Sequence, residues 1–290
     1  MRDQNPFINQ LNLNVMKKLI FIATITMLAT ACGPRQPAEE AEHLPEPAVL
    51  QAGNLLGHHT LHYELAPGVT TDELLDFTKD KFHPAYEKHH PGLKLFPLSG
   101  RTGECVDCWS TLYVFESTGV RDKYFTADGS RTELSMAALE KMQPEMEELL
   151  QMVEYTTTYT DWEIIGDTGT PGPELQAGNL LGLHTMHYEL APGVTIDESI
   201  DFMKDEHGPA FEKHFPGGRF FILKGRTGEG ADCYGWLFVF ESVEVRDKYF
   251  KADGSYTELG QANLEKMQPV IERGSKFGEY TTTYTDWVIQ

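Results

Sequence analysis

Apolar and polar residues alternate from Asn54 to Leu65. Leu61, Tyr63 and Leu65 fall on one face and Thr60, His62 and Glu64 on the other. Period-two alternation predicts a β-strand with one packed face. Ala66-Pro67-Gly68 then reads as a turn, and Thr70 with Glu73 fits a helix-capping box. The apolar spacing changes to that of a helix reaching about Phe82, which Pro84 is expected to bend or end, with room for a further turn through Lys88 before Pro91-Gly92. Strands are predicted at about Lys94–Ser99 and at Trp109–Ser117, separated by a polar loop over Gly100–Asp107. Ser117 can cap a short helix carrying Val120, Tyr124 and Phe125. A second helical stretch carries Leu134, Leu139, Met142, Met146 and Leu149, with Pro144 expected to kink it or start a new segment. Glu154–Ile164 alternates Thr with aromatics and closes as a strand. The order is β-α-β-β-α-β, the ferredoxin-like unit, whose sheet is covered by helices on one face only.

The chain then repeats this unit. Residues 176–290 match residues 51–165 at a constant offset of 125 without a gap, and 76 of the 115 paired positions are identical. QAGNLLG, HYELAPGVT, GRTGE, VRDKYF, LEKMQP and EYTTTYTDW all recur. A repeat this regular decides the architecture before any single residue does. Residues 166–175, rich in Gly, Thr and Pro, read as the linker.

Composition changes the picture at the N-terminus. Met16-Lys17-Lys18, then an apolar run from Leu19 to Ala31, then Cys32, reads as a secretory signal over residues 1–31, with Met16 as the expected true start. Leu28-Ala29-Thr30-Ala31-Cys32 resembles a bacterial lipobox, which implies acylation of Cys32. Residues 32–50, rich in Pro, Glu and Ala, read as a solvated tether. The expected location is therefore the bacterial cell envelope, lipid-anchored at the outer membrane, facing the periplasm or the surface. The formal net charge of −20 repels phosphate backbones and argues against a nucleic-acid partner.

An open, partly apolar sheet face needs cover, and two such sheets packed together would enclose a lumen. The β-α-β-β-α-β order, Pro84…Pro91-Gly92 closing the first helix (Pro209…Pro216-Gly217 in the second copy) and the Arg121-Asp122-Lys123-Tyr124-Phe125 helix carry a resemblance to the dimeric α/β-barrel superfamily. This includes antibiotic-biosynthesis-type monooxygenases, EthD-like and NIPSNAP-like proteins and chlorite-dismutase relatives. The resemblance implies an α+β fold in which two ferredoxin-like repeats form an intramolecular pseudo-dimeric α/β barrel. Fold alone does not fix function.

Candidate chemistry follows from that barrel. His59 and His62 are three apart on a strand and point to opposite faces, so they cannot share an ion. His62 and Glu64 share the polar face at about 7 Å. In a barrel, His62, Glu64, His187 and Glu189 would point into one enclosed space. There they could move a proton, hold a divalent metal or form a plain hydrogen-bonded network. Arg101 and Arg226, in the Gly-Arg-Thr-Gly-Glu runs, could hold a carboxylate or phenolate, or pair with the local Glu104 and Glu229. Tyr159, Tyr284, Trp162 and Trp287 in the last strands are candidate ligand-lining aromatics or core. Cys105 and Cys108 allow a local disulfide, and Cys108–Cys233 a bridge between copies. No Gly-rich phosphate loop, nucleophile elbow or H-E-x-x-H motif is present, and nothing marks a nucleotide cofactor.

The expected function is binding of a small, partly apolar ligand in a His/Glu-lined lumen. The alternatives are a cofactor-independent monooxygenase-like or isomerase-like enzyme with a lumen histidine as base, and a haem- or metal-binding barrel.

Overall fold

The computed structural model describes residues 48–290. The leader, the Cys32 lipidation site and the tether up to residue 47 lie outside the described residues. Everything described belongs to one compact unit.

Each repeat forms four antiparallel strands: β1 (Leu55–Leu65), β2 (Leu93–Gly103), β3 (Trp109–Phe115) and β4 (Val153–Asp167), then β5 (Leu180–Leu190), β6 (Gly218–Gly228), β7 (Tyr234–Phe240) and β8 (Gly278–Ile289). The strands close in the order β1-β3-β2-β8-β5-β7-β6-β4, with β4 paired back to β1. The two repeats thus meet at two seams, β2 on β8 and β4 on β6, and form one dimeric-type α/β barrel within a single chain. Closing a sheet on itself leaves no edge strand to pair with a stranger.

Alternation sets three cores. Even-numbered positions of β1 and β4 face the lumen, where Leu56, Trp162, Ile164, Leu223, Trp287 and Ile289 pack as one cluster. Odd positions face the helices, giving one helix–sheet core in each repeat. The lumen is packed with side chains, as expected for an eight-stranded barrel. Leu50, which composition alone assigns to the tether, is fully buried in this lumen cluster, and Leu175 joins it.

Helix α1 (Thr71–Phe77) starts on the expected capping box. Glu73 N donates to Thr70 Oγ1 at 3.2 Å and Thr70 N donates to the Glu73 carboxylate at 2.8 Å. Pro84 does not end the helix. A π-helical turn (Thr78–Phe82) leads into α2 (His83–His89), and His83 N–H bonds back five residues to the Thr78 carbonyl. The wider turn accommodates the missing Pro84 amide without breaking the helix. The second copy does the same over Met203–His207, ahead of Pro209. After α3 (Thr118–Tyr124), α4 (Glu133–Lys141) and α5 (Gln143–Met152) are separate segments on either side of Met142.

The recurring GRTGE, VRDKYF and YTDW runs are the seams. Arg121 of α3 donates from Nε and Nη2 to the Asp161 carboxylate at 2.9 and 2.7 Å. Thr227 of the other repeat donates to the same carboxylate at 2.6 Å. Arg246, Asp286 and Thr102 repeat the clasp at the other seam, with Arg246 Nη2 and Thr102 Oγ1 each 2.6 Å from Asp286. Arg121, Asp161, Arg246 and Asp286 are all buried. Gly103 and Gly228 have φ of +95° and +87°, and a Cβ there would stand 2.1 Å from the carbonyl of Tyr284 or Tyr159 on the opposing repeat. Only glycine allows the strands to approach so closely at that φ.

Candidate functional site: a cleft between sheet and helices in the first repeat

The structure moves the candidate site. His62, Glu64, His187 and Glu189 are exposed. β3 stops pairing with β1 at Leu61, and β6 pairs with β4 only from Thr160 onward. His62 and Glu64 therefore lie on a two-stranded ribbon beyond the barrel rim, opposite Thr156 and Glu154. The same holds for β5, whose partner β7 stops at Met186. These four side chains are not brought together in an enclosed space. Their face was correctly read, but the ribbon outruns the barrel.

Arg101 and Arg226 also take different partners from Glu104 and Glu229. Arg101 reaches Asp247 of the other repeat at 2.6 Å, and Arg226 pairs with Glu163 across the other seam. Trp162 and Trp287 are buried in the lumen, whereas Tyr159 and Tyr284 stack on His59 and His184 at 5.1 and 4.9 Å, on the helix side. Cys105 and Cys108 form the disulfide and Cys233 is free. No group of three or more potential metal ligands is found among the described residues.

A cleft opens instead between the sheet and the helices of the first repeat. Its space is about 790 Å³, including its mouth. The sheet supplies His59, Leu61, Trp109, Thr111, Tyr113 and Tyr155. The helices supply Leu74, Leu75, Thr78, Phe82 and His83 from α1, the π turn and α2, and Leu149 from α5. The π turn contributes Thr78 and Phe82 directly to the wall. The lining is mostly apolar with a few convergent polar groups, the usual make-up of a small-molecule site.

The polar groups include the His59 and His83 imidazoles, the Tyr113 and Tyr155 phenols and the hydroxyls of Thr78, Ser110 and Thr111. Neither the His59 nor the His83 ring hydrogen-bonds another described residue. Burial lowers the His83 pKa to about 3. Burial, then the neighbouring His58 and the Arg131 and Arg121 guanidiniums, lowers that of His59 to about 3. Burial pushes the Tyr113 and Tyr155 phenols up. At neutral pH the cleft therefore presents uncharged imidazole nitrogens and protonated hydroxyls. His58, inside the lumen, is a further buried imidazole, with a pKa lowered to about 4 by burial. It packs against the Trp287 ring at 4.8 Å, and its Nε2 has no partner.

The second repeat keeps the strand layout, joins the last two helical segments into one helix (Glu258–Gly274) and carries bulkier residues at some of the cleft positions. At the offset of 125, Met186 stands for Leu61, Met203 for Thr78, Ile222 for Pro97 and Trp236 for Thr111. All four are buried. The Trp236 indole packs on Tyr280, His207 and Phe220 at 4.9, 5.8 and 6.0 Å. It occupies the space that the smaller Thr111 leaves open in the first repeat. The signal was available in the sequence, as differences between the copies at Thr78, Pro97 and Thr111, but only the fold shows that those positions share a wall.

No protein-family model and no curated protein matches the chain. Solved structures do. An anthrone oxidase-like protein is 14% identical with a TM-score of 0.41, covering 83% of this chain and 94% of its own. A heme-binding protein from Thermus thermophilus is 11% identical with a TM-score of 0.45, covering 84% and 93%. A chlorite dismutase from Candidatus Nitrospira defluvii is 9% identical with a TM-score of 0.39, covering 82% and 92%. At such identities the chemistry must be read from this chain's own cleft.

The buried and half-buried imidazoles set a pH dependence. His58, His59, His83, His90, His184 and His207 all have pKa values lowered to about 3 or 4, with burial the first cause. In the unfolded chain each would take its proton near its usual value of about 6.5. Their contribution to stability is thus complete above about pH 6.5 and is lost as pH falls toward the folded values. Hydrogen bonds from Thr70, Thr126, Thr195 and Ser255 lower the carboxyls of Glu73, Asp128, Glu198 and Asp253 from their usual range, so these groups add nothing to the change above that range. The midpoint of thermal unfolding is expected to fall between about pH 7 and pH 5, before most carboxylates titrate. A flat profile over that interval in a circular-dichroism melt would contradict the neutral burial of these rings.

Proposed function

We propose that the first-repeat cleft binds one small, largely apolar molecule carrying a hydrogen-bonding oxygen, and that the second repeat is its filled, structural counterpart. One observation supports this above all. The two repeats are identical at 76 of 115 positions, yet in the wall of this space Thr78, Pro97 and Thr111 give way to the larger, buried Met203, Ile222 and Trp236, while Leu74, His83, Leu149 and Val153 give way to the smaller Ser199, Gly208, Gly274 and Gly278, so the space is rebuilt and not copied. A neutral imidazole accepts a hydrogen bond from a hydroxyl, and the surrounding phenols can donate one.

Binding is favoured over turnover. A general base works best with a pKa near the operating pH. Imidazoles lowered to about 3 are poor proton acceptors at neutrality. The cleft suits holding a ligand better than deprotonating one. Export and lipid anchoring at the cell envelope belong to the same proposal. They are supported by the Lys17-Lys18 and apolar leader, by Cys32, and by a Cys105–Cys108 disulfide of the kind that persists in oxidising compartments.

Calorimetric titration of the purified chain with naphthol, an uncharged aromatic alcohol, tests the reading. Saturable binding at one site per chain is expected, and Thr111→Trp should abolish it. Binding that survives Thr111→Trp unchanged would overturn the proposal. A Soret band in the purified protein would instead favour the haem-binding alternative.

A further inference from the structure

The π turn of the first repeat carries two polar side chains into the cleft wall. His83 N–H donates to the Thr78 carbonyl, the bond that closes the turn, and both residues line the cleft. His83 is only 5% exposed, yet its imidazole hydrogen-bonds no described residue. The ring nearest to it is that of Phe82 at 6.2 Å, which offers neither donor nor acceptor. The His83 nitrogens are not sealed off as His58 Nε2 is, so they open onto the space that the ring lines. Buried polar side chains are nearly always hydrogen-bonded. An imidazole left without a partner in a cleft wall points to one that comes from outside the chain.

The donors and acceptors say what that partner is. Thr78 Oγ1 donates to the Leu74 carbonyl at 2.7 Å, so toward the cleft it can only accept. Burial keeps His83 neutral at pH 7, which gives it one N–H and one lone pair. A ligand hydroxyl can donate and accept, and so meets both kinds of group. A carbonyl or ether oxygen would leave the acceptors unmet. A carboxylate would enter a wall in which no described lysine or arginine stands.

The second repeat shows that the fold needs neither group. At the offset of 125, Met203 stands for Thr78 and Gly208 for His83. The π turn forms there over the same positions, with Gly208 N–H donating to the Met203 carbonyl. A Cβ at Gly208 would stand 2.8 Å from the Phe220 ring, so the imidazole has no room there. The nearest imidazole of that repeat, His207, lies one position earlier, half-buried and stacked on Trp236 at 5.8 Å. His59, by contrast, recurs as His184 with the equivalent tyrosine stacked on it, so its presence does not depend on the cleft. Thr78 and His83 are found together where the cleft is open and are both missing where Trp236 stands in the wall.

We propose that His83 and Thr78 determine the specificity of the cleft by pairing with a ligand hydroxyl, which makes the preferred ligand class an uncharged alcohol or phenol on an apolar skeleton. This rests on the cleft reading above and adds which oxygen group the ligand carries and which residues recognise it. A site built to hydrogen-bond a hydroxyl rejects the analogue without one, because its own buried groups are then left unpaired.

Calorimetric titration of the full chain compares naphthol with methylnaphthalene, which has nearly the same shape and no hydroxyl, and with naphthoate, which carries a charge. Wild type is expected to bind naphthol about tenfold or more tightly than either. His83→Leu should remove most of the preference over methylnaphthalene, weakening naphthol by about that factor and changing methylnaphthalene by less than about twofold. Thr78→Val, which keeps the shape of the wall, should remove part of it. His83→Gln, which keeps a donor and an acceptor, should retain part of it. If naphthol keeps its full preference in both His83→Leu and Thr78→Val, or if each variant weakens both probes equally, the two residues are wall packing and the inference fails, while the cleft reading stands. Tighter binding of naphthoate than of naphthol would overturn the proposed ligand class. If Thr111→Trp leaves the binding of naphthol and methylnaphthalene unchanged, the cleft reading itself fails.

Discussion

Asp161→Ala is expected to lower stability by about 3–5 kcal/mol, the cost of leaving a buried charge without its partner. The stranded group would be the Arg121 guanidinium, which shares the Asp161 carboxylate with Thr227 of the other repeat. For a domain of this size that corresponds to a fall of roughly 6–20 °C in the unfolding midpoint. Asp286→Ala should do the same at the other seam through Arg246 and Thr102. The double variant Arg121→Met/Asp161→Leu should recover much of the loss, because a packed apolar pair replaces a buried ion pair at little net cost. Thermal melts of the three variants decide the matter. If Asp161→Ala melted with wild type, the clasp would not be holding the seam.

The second large effect is expected from Trp236→Thr, which installs the residue of the open repeat in the filled one. Truncating a buried tryptophan costs about 3–5 kcal/mol when the site cannot collapse. Here the loss is partly offset, because the Trp236 indole N–H is buried without a partner and its removal relieves that cost, about 1–3 kcal/mol. A lower melting midpoint should therefore come with a second naphthol site, raising the stoichiometry from one to two per chain. The second site should bind more weakly, since Met186 and Met203 still narrow it. A destabilised variant that still binds one equivalent would show that Trp236 is core packing and nothing more.

Much of the fold was legible in the sequence. The period-two runs located the strands, Thr70 and Glu73 located the first helix start, and the 125-residue offset showed two equal halves. At Pro84 the sequence left a bend, an end or a further turn through Lys88 open; the chain continues, because a π turn takes up the missing amide, and nothing local to the residue signals that turn. The face of His62 and Glu64 was legible from alternation. Their exposure was not, since it depends on where β3 and β6 stop pairing with β1 and β4. Arg101 and Arg226 were paired with acids near in sequence. The structure pairs them with Asp247 and Glu163, acids of the opposite repeat, because the seams bring those strands and helices alongside.

Three of the recurring runs, GRTGE, VRDKYF and YTDW, supply the residues that join one half to the other. The differences between the copies carry the functional signal. Thr111 against Trp236 is unremarkable as a single substitution. It acquires meaning when the fold sets Thr111 with Leu61, Thr78 and Tyr113 around one space.

The sequence by itself determined the elements, their order, their inward and outward faces and the duplication, because hydrophobic periodicity and turn chemistry are local properties of the chain. Only the tertiary structure decided which face holds the open space. Alternation names two faces of a sheet without saying which will be packed tight, and that depends on side-chain volumes contributed from strands and helices far apart in sequence. In this barrel the large lumen residues fill the inside, and the small residues of the first repeat leave room beneath its helices.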